Sequence, residues 1–261
     1  MAHAGRRPSA VTDSSRAVPQ SSKVDGVRQT GTLALVGSGE FLEPMRPVDA
    51  ALLQRAGGDR VAILPTASAP DGEGVPQRWI EMGVAHFRAL GARAEGVPAL
   101  SRQDCLRPDL VEAVGQSNLV YFSGGKPDYL LETIAGTPLW QAVRQVLGKG
   151  GVVAGCSAGA MVFGGWVPGR FEVRRMGFWR PAFGYVPGAV IAPHFDEMPA
   201  WILEGFYRLR PRRSYLIGVD GGTALVGGNG EWVVHGRGRV VIRRRGEASV
   251  SHSGENVRLT V

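Results

Sequence analysis

Four short apolar runs, each stopped by a glycine- or proline-bearing turn, constrain this chain more than any other feature. They are Thr32-Leu-Ala-Leu-Val36 before Gly37-Ser-Gly39, Val61-Ala-Ile-Leu64 before Pro65-Thr66, Leu119-Val-Tyr-Phe122 before Ser123-Gly124-Gly125, and Gly151-Val-Val-Ala154 before Gly155-Cys-Ser157. None alternates apolar with polar residues. Continuous apolar runs of strand length belong to strands covered on both faces, as in a parallel sheet. Helical patterns fill the gaps: Val48–Arg55, Pro76–Leu90 and Pro127–Leu147, the last broken near Gly136-Thr-Pro138. Strand, helix, strand in repetition predicts an α/β fold, a mostly parallel doubly wound sheet with helices on both faces. In such sheets ligands sit at the carboxyl ends of the strands, where all four turns fall.

The second half reads differently. Residues 164–193 are rich in glycine and proline and hold no clean helix. Trp201–Arg210 reads as a helix, and Leu216–Val219, Ala224–Val226, Trp232–His235 and Val240–Arg243 read as short strands. The glycine-rich turns between the last three predict antiparallel hairpins near the C-terminus. Residues 1–30, rich in Ser, Arg, Pro and Gln, read as a disordered leader, and 31–261 as a single α/β domain.

Composition narrows the classes further. With 44% hydrophobic and 20% charged residues the chain is globular. Two cysteines exclude a disulfide scaffold and four-cysteine zinc sites. The apolar runs are too short to span a bilayer, and the first thirty residues show no secretory h-region, which places the protein by default in the cytoplasm, away from membranes. The formal net charge of +7 sits at the two ends, +3 over residues 1–30 and +4 over 236–261. A nucleic-acid binder carries its basic stripe on the folded domain, so no nucleic-acid partner is expected.

The chemistry centres on Gly155-Cys-Ser-Ala-Gly159, a G-x-S-x-G pentapeptide directly after an apolar strand and before the small-residue run Ala160–Phe163. That context is what a nucleophile elbow requires. Ser157 is then the nucleophile, and the N–H of Ala158 is the natural first oxyanion donor. Cys156 is the rival nucleophile, at a position whose side chain turns away from the apex. The Ser123-Gly-Gly-Lys-Pro127 loop ends another strand and offers Gly125 as second oxyanion donor, with Gly124 and Lys126 as substrate-binding positions; a plain turn before a proline-started helix is the competing reading. Of five histidines, His3 lies in the leader and His252 in a polar tail, and His86 reads as a helix residue. His194, at a strand end after Val190-Ile-Ala-Pro193, is favoured as general base over His235.

These blocks together resemble the cyanophycinase and aspartyl dipeptidase family of serine peptidases, which have the class I glutamine amidotransferase-like fold. The carrying residues are Gly124-Gly125, the GCSAGA elbow, His194-Phe195 and Ile217-Gly-Val-Asp-Gly-Gly-Thr-Ala-Leu225, so the likeness runs from about residue 32 to 235. The resemblance implies Ser157 as nucleophile, His194 as base, oxyanion donors at Gly125 and Ala158, no metal and no organic cofactor. It also implies a peptide or isopeptide substrate with an aspartyl residue.

One departure stands out. Family members usually carry a glutamate immediately after the aspartate of the last block, and that glutamate orients the histidine; here the position is Gly221. Asp220 beside it is taken as third member of the triad, although neighbours on a strand face opposite ways. Glu172, Asp196 and Glu197 are further acids, and spacing assigns none of them. The gap motivates a second reading, a catalytically impaired binding protein of the same fold. A third is an α/β-hydrolase-type esterase using Ser157, Asp220 and His235 in that chain order. A fourth is a thiol enzyme using Cys156. Arg170, Arg174, Arg175 and Arg180 could recognise an acidic side chain, or form a solvated basic loop. A homodimer through an edge strand or the Trp-bearing 164–202 segment is also open.

Overall fold

The computed structural model describes residues 30–169 and 178–259. Residues 1–29 of the leader, Glu172 and three of the four arginines of the basic loop, Arg170, Arg174 and Arg175, lie outside these residues. Strands β1 (Thr32–Val36), β2 (Arg60–Leu64), β3 (Arg93–Gly96), β4 (Leu119–Phe122) and β5 (Val152–Cys156) alternate with helices α1 (Arg46–Ala56), α2 (Val75–Ala89), α3 (Pro108–Gly115), α4 (Pro127–Ile134) and α5 (Pro138–Gly148). The break near Gly136 is real: Thr137 caps α5, accepting the Trp140 N–H at 3.2 Å, and Pro138 opens the helix without needing a donor. After the one-turn helix α6 (Ala158–Met161) come β6 (Gly164–Pro168), β7 (Trp179–Pro181), β8 (Val186–Ala192), α7 (Ala200–Leu209), β9 (Tyr215–Val219), β10 (Thr223–Gly228), β11 (Glu231–Gly236), β12 (Arg239–Arg244), β13 (Glu247–His252) and β14 (Asn256–Arg258).

Two sheets result. The first has eight strands in the order β14-β11-β10-β1-β5-β4-β2-β3, parallel from β1 to β3 and antiparallel across β1/β10, β10/β11 and β11/β14. Successive side chains of its parallel strands point to opposite faces, and each face has its own core. Ala34, Val36, Val61, Ile63, Leu119 and Tyr121 pack with α1 and α2. Leu33, Leu35, Leu64, Val120, Phe122 and Val153 pack on the other side with α3, α4 and α5. Burying each valine, leucine, isoleucine or phenylalanine among them is worth roughly 1.5–3 kcal/mol, which is why both faces of these strands are apolar.

The second sheet has six strands, β13-β12-β9-β8-β6-β7, and shares the core of the α3–α5 side. No spacing in the sequence announces it; the glycine-rich turns group β12 with β10 and β11 instead, whereas β12 pairs with β9 and β13. Its middle strands β6, β8 and β9 are parallel. The carboxyl ends of β8 and β9 therefore meet those of β1 and β5. Backbone bonds lock the junction: Ser157 N–H donates to Val36 O at 3.0 Å, His194 N–H to Gly37 O at 3.3 Å and Phe195 N–H to Val219 O at 3.1 Å.

Candidate active site

Ser157 stands where β5 turns sharply into α6, with φ 51° and ψ −112°. A non-glycine residue there costs on the order of 1–3 kcal/mol of backbone strain, which the surrounding structure must hold in place. The flanking glycines explain how the turn closes. A Cβ on Gly155 would stand 2.3 Å from Gly159 O, and one on Gly159 2.7 Å from Phe122 O. Strand and helix approach too closely for any side chain. His194 also has positive φ, 52°, in the turn after β8.

The two strained residues face each other. His194 Nε2 lies 3.2 Å from Ser157 Oγ, and His194 Nδ1 lies 2.9 Å from Glu197 Oε2. The other oxygen of Glu197 accepts the Ser38 hydroxyl at 3.1 Å. Serine, imidazole and carboxylate thus form a chain in which each group is oriented by the next, the arrangement that activates a serine hydroxyl. Glu197 follows His194 by three residues in a tight turn, where Glu197 N–H donates to His194 O.

Asp220, expected as the acid of this chain, does not reach the histidine. It is buried, its Oδ2 accepts the Arg239 N–H at 3.1 Å, and Arg239 Nε stands 3.4 Å away. Burial pushes its carboxyl above the usual range, and the nearby Asp196 adds to that. The physical reason is local: in the turn after β9 the bonds to Arg239 hold Asp220 toward β12, while the backbone of Gly221 faces the site, its N–H donating to Asp196 Oδ1 at 2.7 Å. Gly221 leaves the space that Glu197 uses. A Cβ at 221 would stand 2.7 Å from Glu197 Oε1 and 2.8 Å from Ser38 Oγ. The sequence signal for Glu197 was only its closeness to His194, which did not separate it from Asp196.

His235 lies elsewhere. It pairs with Ala224 across β10/β11 and lines a cleft of about 320 Å³ with Pro44, Pro47 and Val48. Burial lowers its pKa, helped by Arg55. Cys156 is fully buried and donates its thiol to Glu40 Oε2 at 2.8 Å; burial and the Glu40 charge push that thiol well up, away from the thiolate a nucleophile needs.

On the opposite side of Ser157 lies the β4 loop. Gly124 N–H donates to Glu40 Oε1 at 3.0 Å. Gly125 has φ 139°, and a Cβ there would meet the Ala67 carbonyl at 2.3 Å. Among the described residues the N–H groups of Gly125 and Ala158 have no acceptor, so both are free to receive a ligand oxygen. Since α6 is a single turn, these two N–H groups matter more than a helix dipole. Lys126 Nζ stands 3.5 Å from Asp71, and Arg180 pairs with Glu132. Among the described residues no three His, Cys, Asp or Glu side chains form a group that could hold a metal ion, and no helix is long and apolar enough to cross a membrane.

A doubly wound sheet with a serine–histidine–carboxylate chain at its strand ends is the layout of a hydrolase. The comparisons give the family. The sequence matches Peptidase family S51 over residues 33–234, and the chain belongs to that peptidase family. A crystallised peptidase from an acI-B1 actinobacterium is 34% identical, with a TM-score of 0.78 over 88% of this chain and 97% of that one. A candidate peptidase E protein from Listeria monocytogenes EGD-e is 17% identical, with a TM-score of 0.60 over 79% of this chain and 98% of that one, a likeness of fold. No curated protein matches the sequence.

Proposed function

We propose that this peptidase is of the serine type and cleaves a peptide or isopeptide amide through an acyl-enzyme on Ser157. The observation that carries the reading is the chain Ser157 Oγ, His194, Glu197, at 3.2 and 2.9 Å. Ser157 Oγ attacks the scissile carbonyl carbon as its proton passes to His194 Nε2. Glu197 accepts the Nδ1–H bond, which fixes the tautomer and stabilises the imidazolium. The carbonyl oxygen, now an oxyanion, takes the N–H groups of Gly125 and Ala158. His194 then returns the proton to the leaving amine, and water, deprotonated by the same imidazole, releases the acyl group. The family resemblance supports an aspartyl-type substrate. The presence of a carboxylate on Nδ1 supports an active enzyme over an impaired binding protein, because the group absent at Gly221 is supplied from another part of the chain.

The test is intact mass after exposure to a fluorophosphonate, followed by hydrolysis assays on aspartyl and non-acidic dipeptides. One adduct is expected, absent in Ser157→Ala and at least tenfold slower to form in His194→Ala. No adduct on the folded protein overturns the serine mechanism and leaves the binding-protein reading. Equal hydrolysis of the two dipeptide classes overturns the aspartyl preference alone.

A further inference from the structure

Glu40, in the turn after β1, has no part in the chain of proton transfer, yet its carboxylate meets the elbow at Cys156. Glu40 is 6% exposed. Burying a carboxylate is costly unless its oxygens are well bonded, and an apolar side chain would fill the same space more cheaply. Its two oxygens are both used. Oε1 accepts the Gly124 N–H at 3.0 Å and Oε2 the Cys156 thiol at 2.8 Å, across sequence separations of 84 and 116 residues. Gly124 immediately precedes the oxyanion donor Gly125, and Cys156 immediately precedes the nucleophile Ser157.

We propose that Glu40 is a positioning residue, a single rigid acceptor that fixes the oxyanion loop against the nucleophile elbow. This rests on the reading of Ser157 and Gly125 given above. The packing around the contact supports it. A Cβ on Gly124 would stand 3.1 Å from Glu40 Oε1 and 3.4 Å from Ser157 Cβ, so the loop backbone is held between carboxylate and nucleophile. The thiol can serve as the donor because its proton is retained: burial and the Glu40 charge both push its pKa up. On the far side of the loop the Lys126 N–H donates to Ala67 O at 2.7 Å, so the segment is held at both flanks. Without Glu40 the Gly124 N–H and the Cys156 thiol lose their shared acceptor, and the distance between attacking oxygen and oxyanion donors is no longer set. Small displacements of this kind are expensive, on the order of a hundredfold in rate for about 1 Å.

The experiment measures fluorophosphonate inactivation of the intact protein, resolved into kinact and KI, for Glu40→Leu and Glu40→Gln. Leucine fills the space but accepts nothing; the amide oxygen of glutamine still accepts the Gly124 N–H. Glu40→Leu is expected to lose about ten- to a hundredfold in kinact with KI within a factor of two, and Glu40→Gln to recover most of it. A folded Glu40→Leu that reacts at the parent rate, or loses only KI, overturns the proposal. If Glu40→Leu does not fold, Cys156→Ala severs the elbow side alone, and an unchanged kinact there overturns it too. Failure of the unaltered protein to form an adduct overturns the serine mechanism itself, a different result from any of these.

Discussion

Among the described residues are two histidine–carboxylate pairs of the same length, and they sit in opposite surroundings. His86 Nε2 meets Asp49 Oδ2 at 2.9 Å, and His194 Nδ1 meets Glu197 Oε2 at 2.9 Å. The first pair joins α2 to α1 beneath the sheet, with side chains 7% and 0% exposed and the rings of Phe41 and Phe87 against the imidazole. The second sits at the rim of the strand ends, with side chains 41% and 56% exposed. Burial raises the Asp49 carboxyl, against the pull of His86, and its Oδ1 has no partner. The rim pair is open to solvent, and its second ring nitrogen points at a serine. A histidine and a carboxylate therefore serve as a buried tie between helices in one place and, in the proposed mechanism, as an oriented general base in the other. Burial and what the second nitrogen touches decide which.

The contrast breaks most clearly at Glu197. Glu197→Gln leaves the ring without a carboxylate and is expected to lower the fluorophosphonate reaction rate by about 10²- to 10⁴-fold, with little change in thermal stability, because an exposed ion pair contributes at most about 1 kcal/mol. An unchanged rate would remove Glu197 from the relay. The buried pair should respond in the opposite way. Asp49→Ala strands His86 in an aromatic pocket and is expected to cost about 3–5 kcal/mol in urea unfolding, while the folded fraction still reacts with the probe near the parent rate. A stability loss below about 1 kcal/mol would mean that the tie contributes nothing net.

What was legible in the sequence follows from how local each signal is. β1, β2, β4 and β5 announced themselves because a strand covered on both faces is a continuous apolar run. The elbow did so because its two glycines answer backbone contacts that any side chain would block. β3, Arg93–Gly96, was not seen: it is an edge strand with one buried residue and leaves no apolar run. The second sheet was hidden for another reason. Its order joins strands separated by α7 and by the β10–β11 hairpin, and no spacing encodes such pairing. The acid was the hardest case. His194 and Glu197 lie in a turn with a positive φ at its head, where neither the strand period nor the helix period tells which way a side chain points. Asp220 was chosen by closeness to the family position, and Arg239 and β12 explain why it faces away.

Gly221 gives the finest test of the comparison, because it asks whether the relay depends on space rather than on a partner. The three atoms nearest a Cβ at this position are the ends of side chains, Glu197 Oε1 at 2.7 Å, Ser38 Oγ at 2.8 Å and Asp196 Oδ1 at 3.6 Å. Such atoms can move aside, so Gly221→Ala should fold with a loss of about 1 kcal/mol or less. The movement it forces is that of the Glu197 carboxylate, away from Ser38 and out of line with Nδ1. The probe reaction is expected to slow about tenfold, the equivalent of about 1.4 kcal/mol in the barrier, with KI unchanged. In a Glu197→Gln background the same substitution should do nothing further, since the carboxylate it displaces is already gone. Additive losses in the double variant would show that Gly221 acts on the serine or the oxyanion loop instead, and would separate the space at 221 from the acid that occupies it.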